Sequence, residues 1–436
     1  IKVVQERQEL YFDIAYSEPV YRLHPWEHSF IIKTNAKWTA TKISDPDDVV
    51  TFADINNGMP DEYGTVIKFT TKEKLVNAIK NSTVQIRFSS TSIPKEFPDK
   101  LLTLNLEGPK IVGKSNSYML SPGKEAILIP VSQANADGTI RIDDNAAVYG
   151  EFLWSDSPNG WTGNGVVSHV GTVGIGSKAY IYVIPGNTPG NAVVAVRVNG
   201  TIAWSWHIWV SNSIPNVGVP SGTFMDRNLG ATSNSPNNVN TLGLLYQWGR
   251  KDPFPGAGST TQNVFKKIYN ANGMEVSSPF MNSRTTVQGS VQNPLVYYGQ
   301  NDGNSREWLL SPDNALWGGA NTTTPSAKTA YDPCPEGWRV PAWRNGKSPW
   351  DGLSVTNFPW DNALLGRTSA THGGYYPAAG YRDSVNGLLG DVGGAGYAWI
   401  ASPSGVYGYH LAFNSTVITS AGGHRANGIP VRCIRE

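Results

Sequence analysis

The sequence predicts a multidomain, mainly β protein in which two all-β sandwiches precede a third, C-terminal domain. Its 436 residues exceed the length of a typical domain, which is about 100–200 residues. Short apolar runs are separated by Gly, Pro, Asn, Ser and Thr along most of the chain, and long runs with a 3.6-residue period are scarce. Both cysteines lie in the last third of the chain, so a disulfide between them would fall within one domain.

Residues 1–110 are predicted to form the first sandwich. Their runs of β-branched and aromatic residues predict strands at 10–14, 30–33, 66–70, 84–88 and 101–106. The segment 84–88 alternates apolar and polar residues, as a half-buried strand does. One helix is predicted at 72–80, where apolar residues recur at helical spacing. The sequence Gly-Pro-Lys at 108–110 predicts a hinge.

Residues 111–214 are predicted to form the second sandwich. The predicted strands are 125–130, 147–154, 179–184, 191–198 and 201–210. Asn199 and Gly200 separate the last two, and this pair predicts a tight hairpin because both residues tolerate positive φ. The turn-rich segment 211–220 is the predicted boundary to a third domain at 221–436. The alternative is that residues 1–214 form one two-lobed domain.

The two cysteines, Cys334 and Cys433, have no CxxC spacing, which excludes a cysteine-only metal site. A disulfide between them is the simplest interpretation, and two reduced buried thiols are the alternative. The bond would close a loop of about 100 residues, with a stabilising effect of at most about 4–5 kcal/mol in the chain-entropy model.

Composition and motifs argue against several functional classes. The formal net charge of +1 gives no electrostatic support for nucleic-acid binding. No apolar run approaches the ~18 residues of a membrane span. Ile1 opens directly on mixed polar sequence, as expected of a mature or truncated chain from which any signal peptide has been removed. No HExxH motif, nucleophile elbow or distinctive carboxylate pair occurs. We therefore predict no catalysis, no cofactor and no metal site.

Six ordered segments carry a family resemblance. They are FMDRNLGA at 224–231, GLLYQWGR at 243–250, DPCPEGWRVP at 332–341, YPAAGYR at 376–382, GYAW at 396–399 and VRC at 431–433. In this order they resemble the Fibrobacter succinogenes major paralogous domain of Bacteroidetes-type surface proteins. That domain is similar to the fold of C-type lectins and formylglycine-generating enzymes. The resemblance implies a C-type-lectin-like α+β domain at 221–436.

A second resemblance lies near the N-terminus. The segment SFIIKTNAKWTA at 29–40 resembles the start of a BACON-type module, which has an immunoglobulin-like fold. It implies that Trp38 is a core residue and that the N-terminal sandwiches are immunoglobulin-like. A generic β-sandwich spacer is the alternative.

The resemblances imply a non-catalytic, exported adhesion protein at the cell surface, outer membrane or fimbrium, with a fimbrial tip subunit as one form. Its partner would be a glycan or a host or bacterial surface protein. The alternatives are a polysaccharide-capture surface lipoprotein and a structural pilus subunit that contacts other pilus subunits. The calcium-binding tripeptides of C-type lectins are missing, so binding is predicted not to need calcium.

Aromatic residues crowd the last hundred positions, among polar loops. Sugar faces stack on aromatic rings, and nearby polar side chains can bind hydroxyl groups. The alternative is that these rings form the core. Trp338, Tyr397 and Trp399 are predicted to be core residues. The net charge near zero favours a neutral ligand with weak salt dependence. The candidate binding residues are Trp343, Trp350, Trp360, Tyr407, Tyr409 and Arg425.

Overall fold

A computed structural model describes most of the chain in two compact units. The units are Ile1–Ile111 with Glu125–Leu128, and Val112–Lys124 with Ile129–Glu436. The predicted helix at 72–80 and most of the predicted linker at 211–220 lie outside the described residues. The described residues are 11–16, 21–22, 27–53, 57–71, 81–91, 99–135, 142–159, 162–212, 224–300, 306–319 and 321–436.

Nine of the ten described strands up to residue 111 form two sheets, with the orders β1-β3-β7-β5 and β2-β9-β8-β4-β6. The tenth, β10, pairs in parallel with residues 127–128. In chain order the strands are β1 Phe12–Tyr16, β2 Tyr21–Arg22, β3 Glu27–Thr34, β4 Trp38–Ser44, β5 Val50–Phe52, β6 Asn57–Gly58, β7 Asp61–Thr71, β8 Ser82–Ser90, β9 Lys100–Glu107 and β10 Lys110–Ile111.

Alternating side chains build the core of this unit, as predicted. In β8, Val84, Ile86 and Phe88 are buried, whereas Thr83 and Arg87 are exposed. The predicted core residue Trp38 is buried and its ring lies 5.5 Å from that of Phe88. Apolar side chains from both sheets meet in one cluster, which makes this unit a β-sandwich.

From residue 117 onward the chain is again mostly β. The described part contains one α-helix, six residues long, so residues 224–436 are less helical than the predicted α+β domain. The elements are β11 Ser117–Leu120, β12 Ile127–Pro130, β13 Val148–Ser155, β14 Val167–Val173, β15 Tyr180–Pro185, β16 Gly190–Val198, β17 Thr201–Val210, β18 Leu245–Gln247, β19 Ile268–Tyr269, β20 Glu275–Val276, β21 Phe280–Asn282, α1 Val287–Gln292, β22 Tyr297–Gly299, β23 Trp338–Arg339, β24 Trp360–Asp361, β25 Gly366–Ser369, β26 Gly374–Pro377, β27 Tyr381–Arg382, β28 Leu389–Gly390, β29 Gly396–Ser404, β30 Tyr407–Phe413, β31 Ile418–Gly423, β32 Gly428–Pro430 and β33 Ile434–Arg435.

One six-stranded sheet, of order β11-β17-β16-β13-β19-β20, includes strands from both sides of the predicted boundary. Strands β16 and β17 form the predicted hairpin, and Asn199 and Gly200 have φ values of 50° and 84°. Strand β13 pairs with β19 through Ser155 and Tyr269. Residues 112–210 and 224–436 are therefore joined by backbone pairing as well as by side chains. Their division into separate domains at 111–214 and 221–436 stays a prediction.

Strand β17 is central to the contact between residues 112–210 and 224–436, because both of its faces are buried. On one face, Trp204 and Trp206 donate from their indole nitrogens to Asn116 and Gln133, at 3.0 and 2.8 Å. On the other face, the Ser205 hydroxyl donates to the Asp252 carboxylate at 2.6 Å. The sequence predicted this strand but did not indicate that both of its faces would be covered.

Buried polar groups connect the two segments. The Lys251 ammonium donates to the Ser205 hydroxyl and to Asp252, at 2.6 and 2.5 Å. The Asn116 amide donates to the carbonyl of Asp332 at 3.0 Å, and the Ser117 hydroxyl lies 2.6 Å from the carbonyl of Pro333. Burial lowers the pKa of Lys251, although Asp252 opposes the shift. A buried polar group needs its partner, so these bonds resist separation of the segments.

Cys334 and Cys433 form the predicted disulfide, with Cα atoms 6.0 Å apart. The buried Asp332 carboxylate fixes the approach to Cys334, since it accepts the backbone N–H groups of Cys334 and Val340, at 2.8 and 2.9 Å. Burial raises the pKa of Asp332. Strands β23 and β33 pair next to the disulfide, so the bond reinforces a backbone ladder.

Buried arginines tie together the loops of residues 224–436. Arg432 donates to the carbonyls of Gly373 and Tyr375, at 2.8 and 2.7 Å, and its guanidinium lies 3.8 Å from the centre of the Tyr376 ring. The guanidinium of Arg382 lies 4.0 Å from the Tyr297 ring centre and donates to loop carbonyls in the same way. All five arginines in the segments that carry the family resemblance are buried: Arg227, Arg250, Arg339, Arg382 and Arg432.

A fragment of residues 221–436 is expected to be less stable than one of residues 112–436. The shorter fragment loses β17, and with it the Ser205 groups that bond to Lys251 and Asp252 and the cover of the apolar surface beneath. We expect a lower midpoint and a less cooperative transition in thermal unfolding followed by circular dichroism. Equal midpoints for the two fragments would show that residues 221–436 fold autonomously.

The buried imidazole of His207 is expected to make stability fall on acidification. Both amide hydrogens of Asn191 are used by Asp156 and Gly230, so its oxygen accepts the Nε2–H of His207, 2.9 Å away. Burial lowers the pKa of His207 to about 3 from its ordinary 6.5. The folded state thus binds fewer protons than the unfolded state between these values, and stability is lost as pH falls through this window.

Between pH 6.5 and pH 4, this one histidine is expected to reduce the free energy of unfolding by up to about 3 kcal/mol. Urea unfolding of the wild type and of His207→Gln at several pH values isolates its contribution. The stability difference between the two proteins should shrink as pH falls. A difference that is constant with pH would contradict a neutral buried imidazole.

Candidate ligand-binding site

The candidate site lies on the three-stranded sheet β29-β30-β31 and the loop that follows β23. Alternation along β30 puts Tyr407, Tyr409 and Leu411 on one face. The Trp343 ring packs over this face, with its centre 4.8 Å from that of Tyr409. The Trp343 backbone N–H donates to the Ser402 hydroxyl at 3.0 Å, which attaches the loop to β29. We call Trp343 and Tyr409, both half-buried, the aromatic shelf.

A cavity of about 310 Å³ adjoins the shelf. Its apolar walls include Trp343, Leu353 and Ile418. The Ser348 and Ser420 hydroxyls, 2.7 Å apart, supply polar groups at its edge. Aromatic and aliphatic surface beside hydroxyls fits the chemistry of a sugar ring, which has apolar C–H faces and polar edges.

Two of the candidate residues are structural. Only 3% of Trp350 is exposed; its ring packs 5.3 Å from Phe224 and its Nε1–H donates to the Tyr376 hydroxyl at 2.9 Å. Arg425 is 1% exposed and its guanidinium lies 4.3 Å from the centre of the Trp248 ring. These two side chains support the site from the core, and little of either is left for a ligand to contact.

Arg425 also neutralises a buried acid. Its guanidinium lies 3.5 Å from the Glu307 carboxylate and donates to the Gly405 carbonyl at 3.0 Å. Burial raises the pKa of Glu307, and the charge of Arg425 opposes that shift. The Gly405 contact attaches this ion pair to the turn between β29 and β30. Arg425 therefore helps to position the strand that carries Tyr407 and Tyr409.

The other two candidates lie at the edges of the region. Tyr407 is half-buried, with its ring 5.4 Å from that of His424. Trp360 belongs to the separate sheet β24-β25-β26, and its indole N–H donates to the Asn362 side chain at 2.8 Å. Of the predicted core aromatics, Trp338 and Trp399 are buried, whereas Tyr397 is only half-buried and donates its hydroxyl to Asp391.

The sequence predicted recognition within residues 342–362 and 403–427, which contain Lys347, Ser348 and Ser420, but it did not single out these three polar residues. The turn residues Asn345 and Gly346 were a local signal that the chain reverses between Arg344 and Lys347. Nothing in the sequence linked Ser348 to Ser420, which are 72 positions apart.

The side chains of Ser205, Lys251 and Asp252 resemble the nucleophile and base of a hydrolase. All three are at most 2% exposed, so a substrate could not reach them. Within the described ranges, no group of three or more His, Cys, Asp or Glu is placed to hold a metal ion. No helix in the described part of the chain is long and apolar enough to span a bilayer.

No known protein family and no curated protein matches the chain. Similar solved structures include the D0-D1 domain of intimin, at 9% identity over 45% of this chain and 94% of that one, with a TM-score of 0.17. Invasin, a bacterial integrin-binding protein, is similar at 11% identity over 48% of this chain and 41% of its own, with a TM-score of 0.19. A Bacteroides ovatus GH5 xyloglucanase in complex with a heptasaccharide shares 13% identity, with a TM-score of 0.18.

The xyloglucanase likeness covers 26% of this chain and only 21% of that enzyme. TM-scores this low assign neither a fold family nor a function.

Trp350→Ala is expected to lower the free energy of unfolding by about 3–5 kcal/mol, because it opens a cavity in the core and removes a buried hydrogen bond. Trp343→Ala removes a half-buried ring and should cost clearly less. Urea denaturation of both variants makes the comparison. Equal losses would mean that Trp343 is as much a core residue as Trp350.

Proposed function

We propose that this protein is a non-catalytic cell-surface adhesion protein that binds a glycan, or the surface of another protein, through the aromatic shelf. Residues 221–436 would be a C-type-lectin-like module of the major paralogous type, carried by immunoglobulin-like sandwiches. A subunit at the tip of a fimbrium is the form of this function that the family resemblance favours.

The observation that carries the proposal is the packing of Trp343 on Tyr409 beside an open cavity. Tyr409 lies on a strand, and the loop carrying Trp343 is attached to the neighbouring strand through Ser402. The shelf is therefore held in place before a ligand arrives, which reduces the ordering cost of binding. Its partial burial leaves part of each ring for stacking.

Two further observations support binding without catalysis. The hydrolase-like group at Ser205 is closed to substrate, and the Glu307–Arg425 ion pair is buried behind the sheet. The polar groups at the cavity are hydroxyls and the exposed charges of Lys347 and Asp351, which suit recognition. Both alternatives remain: polysaccharide capture would use the same shelf, whereas a structural pilus subunit would not need it.

Trp343→Ala is expected to weaken binding to cells or arrayed glycans about tenfold, a loss of about 1.4 kcal/mol, because it removes one ring of the shelf. Tyr149→Ala, which removes an exposed ring from β13, is the matched control and should bind like the wild type. Circular dichroism and thermal melts confirm that each variant is folded. Binding should persist in EDTA.

Unchanged binding by folded Trp343→Ala would remove the shelf from the site. Loss of wild-type binding in EDTA would show that a metal takes part. If neither glycans nor cell surfaces bind the wild type, the adhesion function itself is wrong.

A further inference from the structure

A rigid cationic turn lies next to the aromatic shelf. Arg344 and Lys347 exchange two backbone hydrogen bonds, at 3.1 and 2.9 Å, across a two-residue turn. The turn residues Asn345 and Gly346 have φ values of 51° and 73°, the conformation of a type I′ hairpin. Arg344 and Lys347 therefore stand opposite each other as the closing pair of the hairpin.

The tip of this turn is anchored to another part of the chain. The Asn345 and Gly346 N–H groups donate to the carbonyls of Thr323 and Thr322, at 2.9 and 3.1 Å. Four backbone hydrogen bonds thus hold the positions from which Arg344 and Lys347 project. Only the two side chains need to become ordered when a ligand binds, which favours recognition at this point.

A second pocket, of about 280 Å³, lies against this turn. Three cations line it, Arg339, Arg344 and Lys347, together with the apolar residues Ala342 and Ile434. No Asp or Glu of the described chain is among its lining residues. In a protein with a net charge of only +1, this is a local concentration of positive charge.

The cations of this pocket have few anionic partners. Arg344 is exposed and has no ion pair with any described residue. Lys347 reaches the Asp351 carboxylate at 3.6 Å, but both groups are largely exposed, so water weakens the pair. Arg339 is buried behind them and donates to the carbonyls of Ser326 and Gly318. An incoming anion would therefore meet the exposed guanidinium of Arg344, which has no carboxylate partner among the described residues, beside the weakly paired ammonium of Lys347.

The cationic pocket and the cavity at the shelf adjoin each other, because Lys347 and Ser348 line both. Trp343 of the shelf and Arg344 of the pocket are also neighbours in the chain. A sugar ring that packs on the shelf would thus place a substituent within reach of the cations. A guanidinium binds the two oxygens of a carboxylate or sulfate through paired N–H groups.

We propose that the ligand is an acidic glycan, whose ring packs on Trp343 and Tyr409 and whose carboxylate or sulfate binds between Arg344 and Lys347. This inference rests on the proposed function and specifies its ligand class. The inference replaces the neutral ligand that was predicted from the net charge of the whole chain. A ligand in contact with the pocket interacts mainly with the cations that line it, and not with the net charge of the chain. The adjoining aromatic shelf favours a sugar over an acidic peptide.

The test compares acidic and neutral oligosaccharides of similar length by calorimetry, at 50 and 300 mM salt. The probes are polygalacturonate oligomers for carboxylate, carrageenan oligomers (a sulfated galactan without carboxylates) for sulfate, galactan oligomers as the neutral set, and polyglutamate as the acidic peptide. The variant is Arg344→Gln with Lys347→Gln. The control, Lys124→Gln with Lys178→Gln, removes the same charge from exposed positions at 112–210. Thermal melts confirm folding.

The wild type is expected to bind at least one acidic set at least tenfold more tightly than the neutral set, and to lose this preference at high salt. The Arg344→Gln/Lys347→Gln variant should lose the preference at low salt as well, while the control variant keeps it. Whichever acidic set is preferred identifies carboxylate or sulfate as the group bound.

Equal binding of acidic and neutral sugars, or a preference that survives in the Arg344→Gln/Lys347→Gln variant, overturns this inference but leaves the proposed function intact. Binding of polyglutamate with no binding of any sugar overturns the glycan class. If no probe and no cell surface binds, both the inference and the proposed function fail.

Discussion

The folded state of residues 224–436 depends on buried arginines that satisfy loop carbonyls. The strands in this part of the chain are mostly short, so the ladders leave many backbone carbonyls without partners. A buried carbonyl without a donor is costly, and a guanidinium offers five donors in one plane. Arg432 and Arg382 use these donors on loops distant in sequence while stacking on tyrosine rings. A lysine could replace their charge but not this geometry.

This role gives a physical meaning to the segments on which the family resemblance rests. Five of the six contain an arginine that is at most 7% exposed: Arg227, Arg250, Arg339, Arg382 and Arg432. The segment at 332–341 also contains Asp332, which fixes the turn before the disulfide. The segments therefore describe how the loops are held, and the residues proposed to contact a ligand lie outside them. A resemblance carried by these residues is therefore stronger evidence about the architecture than about the ligand.

Features set by neighbouring residues could be predicted from the sequence. The Asn199–Gly200 hairpin, the alternation in β8 and the burial of Trp38 follow from local conformational preferences and side-chain patterns. The disulfide could be predicted because the chain has only two cysteines. The burial of Trp350 and Arg425 could not, because it depends on Phe224, Trp248 and other residues distant in sequence. An aromatic residue in a polar loop looks the same in sequence whether it faces solvent or core.

The position of the disulfide has a mechanical consequence. Cys334 and Cys433 are 99 positions apart in the sequence, and their disulfide closes a covalent loop. This loop contains the residues of the shelf and of the cationic turn: Trp343, Arg344, Lys347 and Tyr409. A pull applied through the rest of the chain passes from one sulfur to the other and bypasses the enclosed segment. Tension could peel apart the backbone pairing of β23 and β33, yet it could not draw out the loop while the bond is intact. The surface that carries the shelf and the cationic turn is thereby shielded from stretching forces along the chain.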